Sequence, residues 1–188
     1  MAPVYKHIVY LIEFILVGLI ECIGNMILFI LGWENLNALD FKFLVDHDRA
    51  IVVYPHTTYL DFFSFIIYKM ANYRQCVDLF FFIKPQIFYH PLLNRIMKLI
   101  KAIPATSITD VRGGAVNESI KYLSQFKRFH VLISPEGTIA KTERWRSGYY
   151  HLADKLDAVI LVSGLDWNEH KMKILIENPN RSEGLILI

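Results

Sequence analysis

Short runs rich in β-branched and aromatic residues recur from Ala50 onward, each separated from the next by a longer stretch of helical pattern. The pattern predicts strands over 50–54, 79–83, 102–106, 130–134, 158–164 and 171–177. Between them it predicts helices over 61–70, 85–101 with a break at Pro91, 114–127 and 147–156. Strands alternating with helices argue for an α/β layer fold. In such folds ligands collect at the loops that follow the carboxyl ends of strands. Three polar loops take that place here: PHTTYLD after the first strand, TDVRGG after the third and SPEGT after the fourth.

The 188 residues suit one domain with a sizeable core. A net charge of +2, with 20 Lys and Arg scattered and no basic run, argues against a nucleic-acid partner. Two cysteines, Cys22 and Cys76, make no disulfide framework and fit a reducing compartment. The seven histidines are dispersed without ligand spacing, so neither a metal site nor a cofactor is expected. Asp46, His47 and Asp48 read as a solvated turn.

From Ile8 to Leu31 the chain is nearly all apolar, long enough as a helix to reach about 36 Å and cross a bilayer. Sixteen Leu, Ile, Phe and Val residues favour insertion by about 8 kcal/mol, and Glu13 and Glu21 oppose it by about 6. At 100° per residue Tyr10, Glu13, Gly18, Glu21, Gly24, Asn25 and Gly32 fall within an arc of about 140°. Such a stripe suits a helix in the membrane interface, or one pressing its polar side on its own domain with its apolar side toward lipid. Gly24-Asn25 is a candidate break into two helices, and a buried core helix is the plain alternative. A cleaved signal peptide fits poorly, because the apolar run is long and no small-x-small site follows it. Only Lys6 among the 20 basic residues precedes the segment, which puts the domain on the cytoplasmic side of a membrane. The division expected is a membrane-associating segment over 1–33 and a catalytic domain over 34–188.

In PHTTYLD, His56 is the side chain able to take a proton near neutral pH, and a carboxylate on its other ring nitrogen would fix the tautomer and stabilise the imidazolium. Five positions of continuous helix turn 500°, leaving His56 and Asp61 about 140° apart, so they meet only if 55–57 is not helical. The plain alternative for Asp61 is a helix cap. SPEGT places Glu136 beside Gly137 in a tight turn whose exposed N–H groups can receive a ligand, or which is merely a turn. In WRSGYYHLA, Ser147 reads as a helix cap and the aromatics as packing. A Ser-His-Asp hydrolase built on Ser134 lacks the G-x-S-x-G elbow. Nucleotide chemistry lacks both a G-x-G-x-x-G and a phosphate-binding glycine loop.

The order of these motifs resembles the glycerophospholipid acyltransferase family, which includes the lysophosphatidic acid acyltransferases. That family carries a His, four residues and an Asp, here His56 to Asp61, and about eighty residues later a Glu-Gly-Thr turn, here Glu136-Gly137-Thr138. PHTTYLDF is similar to the Pro-His-Thr-Ser-x-x-Asp-Phe form of a short bacterial-type branch. So are Lys84 in FFIKPQIF and the stretch from Trp145 through Arg146 to Tyr150. The likeness runs from about Gly32 to Asp166. Ser107 stands near the place of the family's phosphate-binding Arg, with Arg112 as a substitute, and Ile139 follows the Glu-Gly-Thr turn where Arg is usual. The late Pro-bearing strand motif is absent.

The resemblance implies an α/β fold with a mixed central sheet flanked by helices, behind an N-terminal hydrophobic membrane-associating helix or helix pair. It implies transfer of an acyl group from acyl-CoA or acyl carrier protein to the hydroxyl of a lysophospholipid such as 1-acyl-glycerol-3-phosphate. His56 would be the base and Asp61 its orienter. Glu136, Gly137 and Thr138 would position substrate, and Lys84, Arg112 and Arg146 are candidates for phosphate. The alternatives are another lysolipid or alcohol acceptor, or a non-enzymatic membrane-bound relative.

Overall fold

The structure, a computed structural model, describes residues 2–36, 46–55, 58–76, 78–83, 85–104, 114–137, 142 and 144–177. Its frame is a six-stranded sheet of order β3-β2-β4-β1-β5-β6. The strands are β1 (Arg49–Val53), β2 (Leu79–Ile83), β3 (Ala102–Pro104), β4 (Phe129–Ile133), β5 (Val159–Asp166) and β6 (Lys171–Glu177). β1 to β5 pair in parallel, and β6 turns back antiparallel to β5, so the sheet is mixed as expected. β5 extends past the predicted end at Gly164 because the returning β6 pairs with it as far as Asp166↔Lys171.

The helices are α1 (Ala2–Leu31), α2 (Tyr59–Ala71), α3 (Pro91–Leu99, after a 3-10 turn at Pro85–Tyr89), α4 (Gly114–Leu123) and α5 (Gly148–Leu156). Strand residues divide between the two faces by the two-residue period of the pleat. Ala50, Val52 and Tyr54 join Phe81 and Ile83 in a core with Leu28 of α1, Phe65 and Tyr68 of α2 and Met97 of α3. Ile51, Val53, Val131 and Ile133 join Leu123 of α4 and Leu152 and Leu156 of α5 on the other face. Three helices therefore cover one side and two the other.

α1 is one continuous helix, which corrects the expected break at Gly24-Asn25. The glycine serves packing instead: a Cβ on Gly24 would lie 2.3 Å from the Ala71 nitrogen, so α2 touches α1 at backbone distance. Asn25 stays helical because its amide donates to Glu21 O at 2.8 Å and to Ala71 O at 3.0 Å. Asn35 Nδ2 donates to Asn25 Oδ1 and Asn72 Nδ2 to Asn35 Oδ1, closing a set of amides that joins the end of α2 to α1. Glu21 pairs with Arg74, whose backbone N–H it also accepts at 3.0 Å. Gly18, Glu21, Gly24 and Asn25 of the polar stripe thus face the domain, whereas Tyr10 and Glu13 are exposed. Gly32 ends the helix with φ +69, and Trp33 N–H returns to Leu28 O at 2.9 Å.

The buried-core reading of α1 is overturned. Only 11% of its most apolar window is buried, and the helix is long and apolar enough to cross a membrane. Most of its apolar surface stays outside because its neighbour, α2, takes the side that carries the small and polar residues together with Leu28.

Lys69, near the end of α2, is buried and donates to Leu79 O at 2.5 Å and Ile100 O at 2.9 Å, tying α2 to β2 and to the end of α3. Its ammonium also sits 5.0 Å over the Phe81 ring. Burial pulls its pKa down to about 8 from 10.5, the nearby Cys76, Lys101 and Asp78 adding smaller shifts of mixed sign. The unfolded chain therefore binds more protons than the folded one between pH 8 and 10.5. Stability attributable to Lys69 is expected to rise with pH across that window, by up to about 3 kcal/mol. Urea unfolding of wild type and Lys69→Met at several pH values checks this; parallel profiles would remove Lys69 as the source.

Gly24→Ala is expected to cost about 1–3 kcal/mol through overpacking, less about 1 kcal/mol regained in helix propensity. Thermal unfolding and protease nicking beyond Leu31 measure it. A variant as stable and as resistant as the parent would mean that α1 does not close on Ala71.

Candidate active site at the carboxyl edge of the sheet

Because β1 to β4 run parallel, their carboxyl ends share one edge. Val53 of β1 lies beside Ile133 of β4, so the loops carrying the two strongest motifs leave adjacent strands. The Tyr54 N–H still donates to Ile133 O at 2.9 Å, holding the first loop to β4 just before it departs.

Thr58 is extended, with φ −145 and ψ 161, and caps α2. Its hydroxyl accepts from Leu60 N–H at 3.1 Å, and Asp61 Oδ2 accepts from Thr58 N–H at 2.7 Å, a reciprocal capping box. The helix accordingly starts two residues ahead of the predicted 61, with Asp61 in its first turn. Asp61 is 0% exposed. The helix-cap reading of Asp61 is therefore true as far as it goes, but a cap on the surface needs no such burial.

The second partner of Asp61 is Tyr54, which sequence reasoning passed over. Tyr54 is buried and packs edge-on against Phe65 at 4.1 Å, with its phenol near the Asp61 carboxylate. Burial, then the Asp61 charge and hydrogen bonding toward it, hold the Tyr54 phenol far above its ordinary value, so it stays protonated. The only sequence signal was a Tyr at the end of a strand run, seven residues ahead of the Asp. A buried carboxylate held by a backbone N–H beside a phenol is a fixed acceptor, able to set the tautomer of an imidazole and to stabilise its charged form.

After β4, Gly137 N–H donates to Ser134 O at 3.3 Å, and Gly137 takes φ +65, the left-handed region that glycine enters without strain. Glu136 is half-buried. Arg146 N–H donates to Pro135 O at 2.9 Å, and its guanidinium lies on Gly137, 3.3 Å from where a Cβ would stand. The structure thus brings Arg146 to the Glu136-Gly137 turn. Ser147 precedes α5 but makes no side-chain cap bond, contrary to the expectation, because its φ −73 and ψ 0 depart from the extended cap geometry. Ser134 Oγ is buried, which leaves the serine-hydrolase alternative without an accessible nucleophile. His56, Lys84, Arg112 and Thr138 lie outside the described residues. Among the described residues no group of three His, Cys, Asp or Glu side chains is placed to hold a metal ion.

Tyr54→Phe is expected to cost about 1.5–3 kcal/mol, the worth of a hydrogen bond to a charged group. A double-mutant cycle with Asp61→Asn, read by urea unfolding, should give a coupling above about 1 kcal/mol. Additive losses would show that the phenol and the carboxylate do not act on each other.

Residues 32–164 match the model of a protein family described as Acyltransferase. No match is found among curated proteins.

Proposed function

We propose that this chain, which belongs to the acyltransferase family, moves a fatty acyl group from a thioester to the hydroxyl of a lysophospholipid. The observation that carries the reading is Asp61: an ionisable side chain wholly buried at the start of α2, one strand away from the Glu136-Gly137 turn. Taking a carboxylate out of water costs several kcal/mol that its partners must offset, which favours a role beyond capping the helix.

In this reading His56 removes the proton of the acceptor hydroxyl as its oxygen attacks the thioester carbonyl carbon. The new C–O ester bond forms, the C–S bond breaks, and the departing thiolate takes up a proton from the imidazolium. Asp61 orients His56 and stabilises its charged form, with Tyr54 and the Thr58 N–H holding Asp61 in turn. Neither a metal nor a covalent enzyme intermediate is needed. Glu136, Gly137 and Thr138 position substrate, and Lys84, Arg112 and Arg146 offer charge-assisted hydrogen bonds to phosphate. The acceptor is of the 1-acyl-glycerol-3-phosphate class, and acyl-CoA or acyl carrier protein supplies the donor. α1 associates with the membrane, with the site on the cytoplasmic side, as the position of Lys6 ahead of 19 further basic residues favours.

Purified protein incubated with labelled acyl-CoA and a panel of lysophospholipids should yield diacyl products by mass. His56→Ala should lower kcat by about 10²- to 10⁴-fold while remaining folded. Turnover within about twofold of wild type in the folded variant would remove His56 as the base. Free fatty acid released without dependence on acceptor would mark a hydrolase instead.

A further inference from the structure

α3 carries its amphipathicity the wrong way round for a helix on a soluble domain. At 100° per residue, Leu92, Ile96 and Leu99 fall within about 60° of one another, and Met97 lies roughly opposite them. Met97 is the buried side, in the core to which α2 also contributes. Leu92 is 61% exposed and Leu99 74% exposed, with Ile96 exposed between them. Arg95 and Lys98, both exposed, flank this apolar ridge on one side. Soluble helices of this length show solvent their polar arc and bury the apolar one.

The exposure is largely one-sided among the described residues. Among the described residues, the exposed large hydrophobics belong to α1, to the start of α2 (Leu60, Phe63) and to the segment around α3, with Tyr122, Tyr150 and Trp167 the exceptions. α1, α2 and α3 contribute to the same core on one face of the sheet. The charge has a matching bias. No acidic residue occurs between Asp78 and Asp110, whereas Lys84, Arg95, Lys98 and Lys101 do. Of these, Lys101 is engaged by Asp78 at 3.3 Å.

We propose that α3 is a second membrane contact, lying in the interface of an anionic lipid surface with Leu92, Ile96 and Leu99 in the acyl boundary and Arg95 and Lys98 among the headgroups. A helix with an apolar ridge and basic flank is the chemistry such a surface recognises. A second copy of the chain is the poorer occupant. Nine residues make a ridge about 14 Å long and about 10 Å wide, far below the roughly 800 Å² that each partner of a standard protein interface buries. The proposal builds on the membrane association of α1 proposed above, and extends it from one anchoring helix to a face that holds the domain against the lipid.

The test uses the full chain with Cys22→Ser, which leaves Cys76 buried. An environment-sensitive fluorophore is placed through Ile96→Cys in one variant and Leu11→Cys in another. Each is mixed with phosphatidylcholine vesicles, with or without phosphatidylglycerol, carrying a quencher on the acyl chains. The expected result is quenching at both positions with phosphatidylglycerol present. Adding Arg95→Gln and Lys98→Gln should lower the ratio of quenched to unquenched label at position 96 by about twenty-fivefold, about fivefold per charge, and leave position 11 unchanged. Quenching at position 11 with none at 96 would overturn the α3 contact and keep that of α1. Quenching at neither would overturn both. Equal quenching at 96 on phosphatidylcholine alone would overturn the anionic surface. A label at 96 shielded without lipid, in a chain that sediments as a dimer, would assign the ridge to a second copy.

Discussion

The pairing of β1 with β4 is the constraint on which the rest depends. These strands lie eighty residues apart in the chain, Arg49 beside Phe129 and Val53 beside Ile133. Five residues of parallel ladder bring two polar loops to one edge, and the Tyr54 N–H adds one further rung before the chain leaves. β4 enters between β1 and β2, so the crossovers before and after it each pass over a neighbouring strand. Such crossovers need helices on both faces, and both faces of β1 are accordingly apolar, with Ala50 and Val52 to one side and Ile51 and Val53 to the other.

On that edge Asp61 serves two ends with one carboxylate. As the third residue of α2 it closes the capping box with Thr58 and so sets where the helix begins. As a buried carboxylate it lies near the Tyr54 phenol at the end of β1 and acts on it through its charge. The same bonds that start the helix also fix the side chain in space, and a base that depends on orientation gains most from such a holder. The Arg146 guanidinium on Gly137 has a parallel logic: glycine permits both the left-handed turn and the close approach of the flat cation.

The molecule is asymmetric about its sheet. α4 and α5 make an ordinary solvated layer, whereas α1, α2 and α3 present apolar side chains outward. α1 is held to the domain by polar means, through the Asn25, Asn35 and Asn72 amides and the Glu21–Arg74 pair, with Gly24 allowing backbone contact. Most of its large side chains are thereby left exposed. Tyr68 reinforces the join, its hydroxyl donating to Glu34 O at 2.7 Å and accepting from Met172 N–H at 3.1 Å.

Much of this was legible in the chain. β2 and β6 coincide with the predicted 79–83 and 171–177, because an apolar run between turn residues is local information. Pro91 divides the 85–101 region as its missing N–H requires, and the order and spacing of His56, Asp61 and Glu136 mark the family before any coordinate is known. The sequence by itself therefore determined most elements and the α/β class, which rest on neighbours in the chain, and its motif order carried the family likeness with its candidate chemistry. Tertiary structure alone decided that β4 lies between β1 and β2, that Gly24 is a contact rather than a break, that Tyr54 stands beside Asp61, and that α3 turns its apolar ridge outward. Each of these is set by pairing or packing between segments distant in sequence, and the same residues would read identically in a chain where those segments never met.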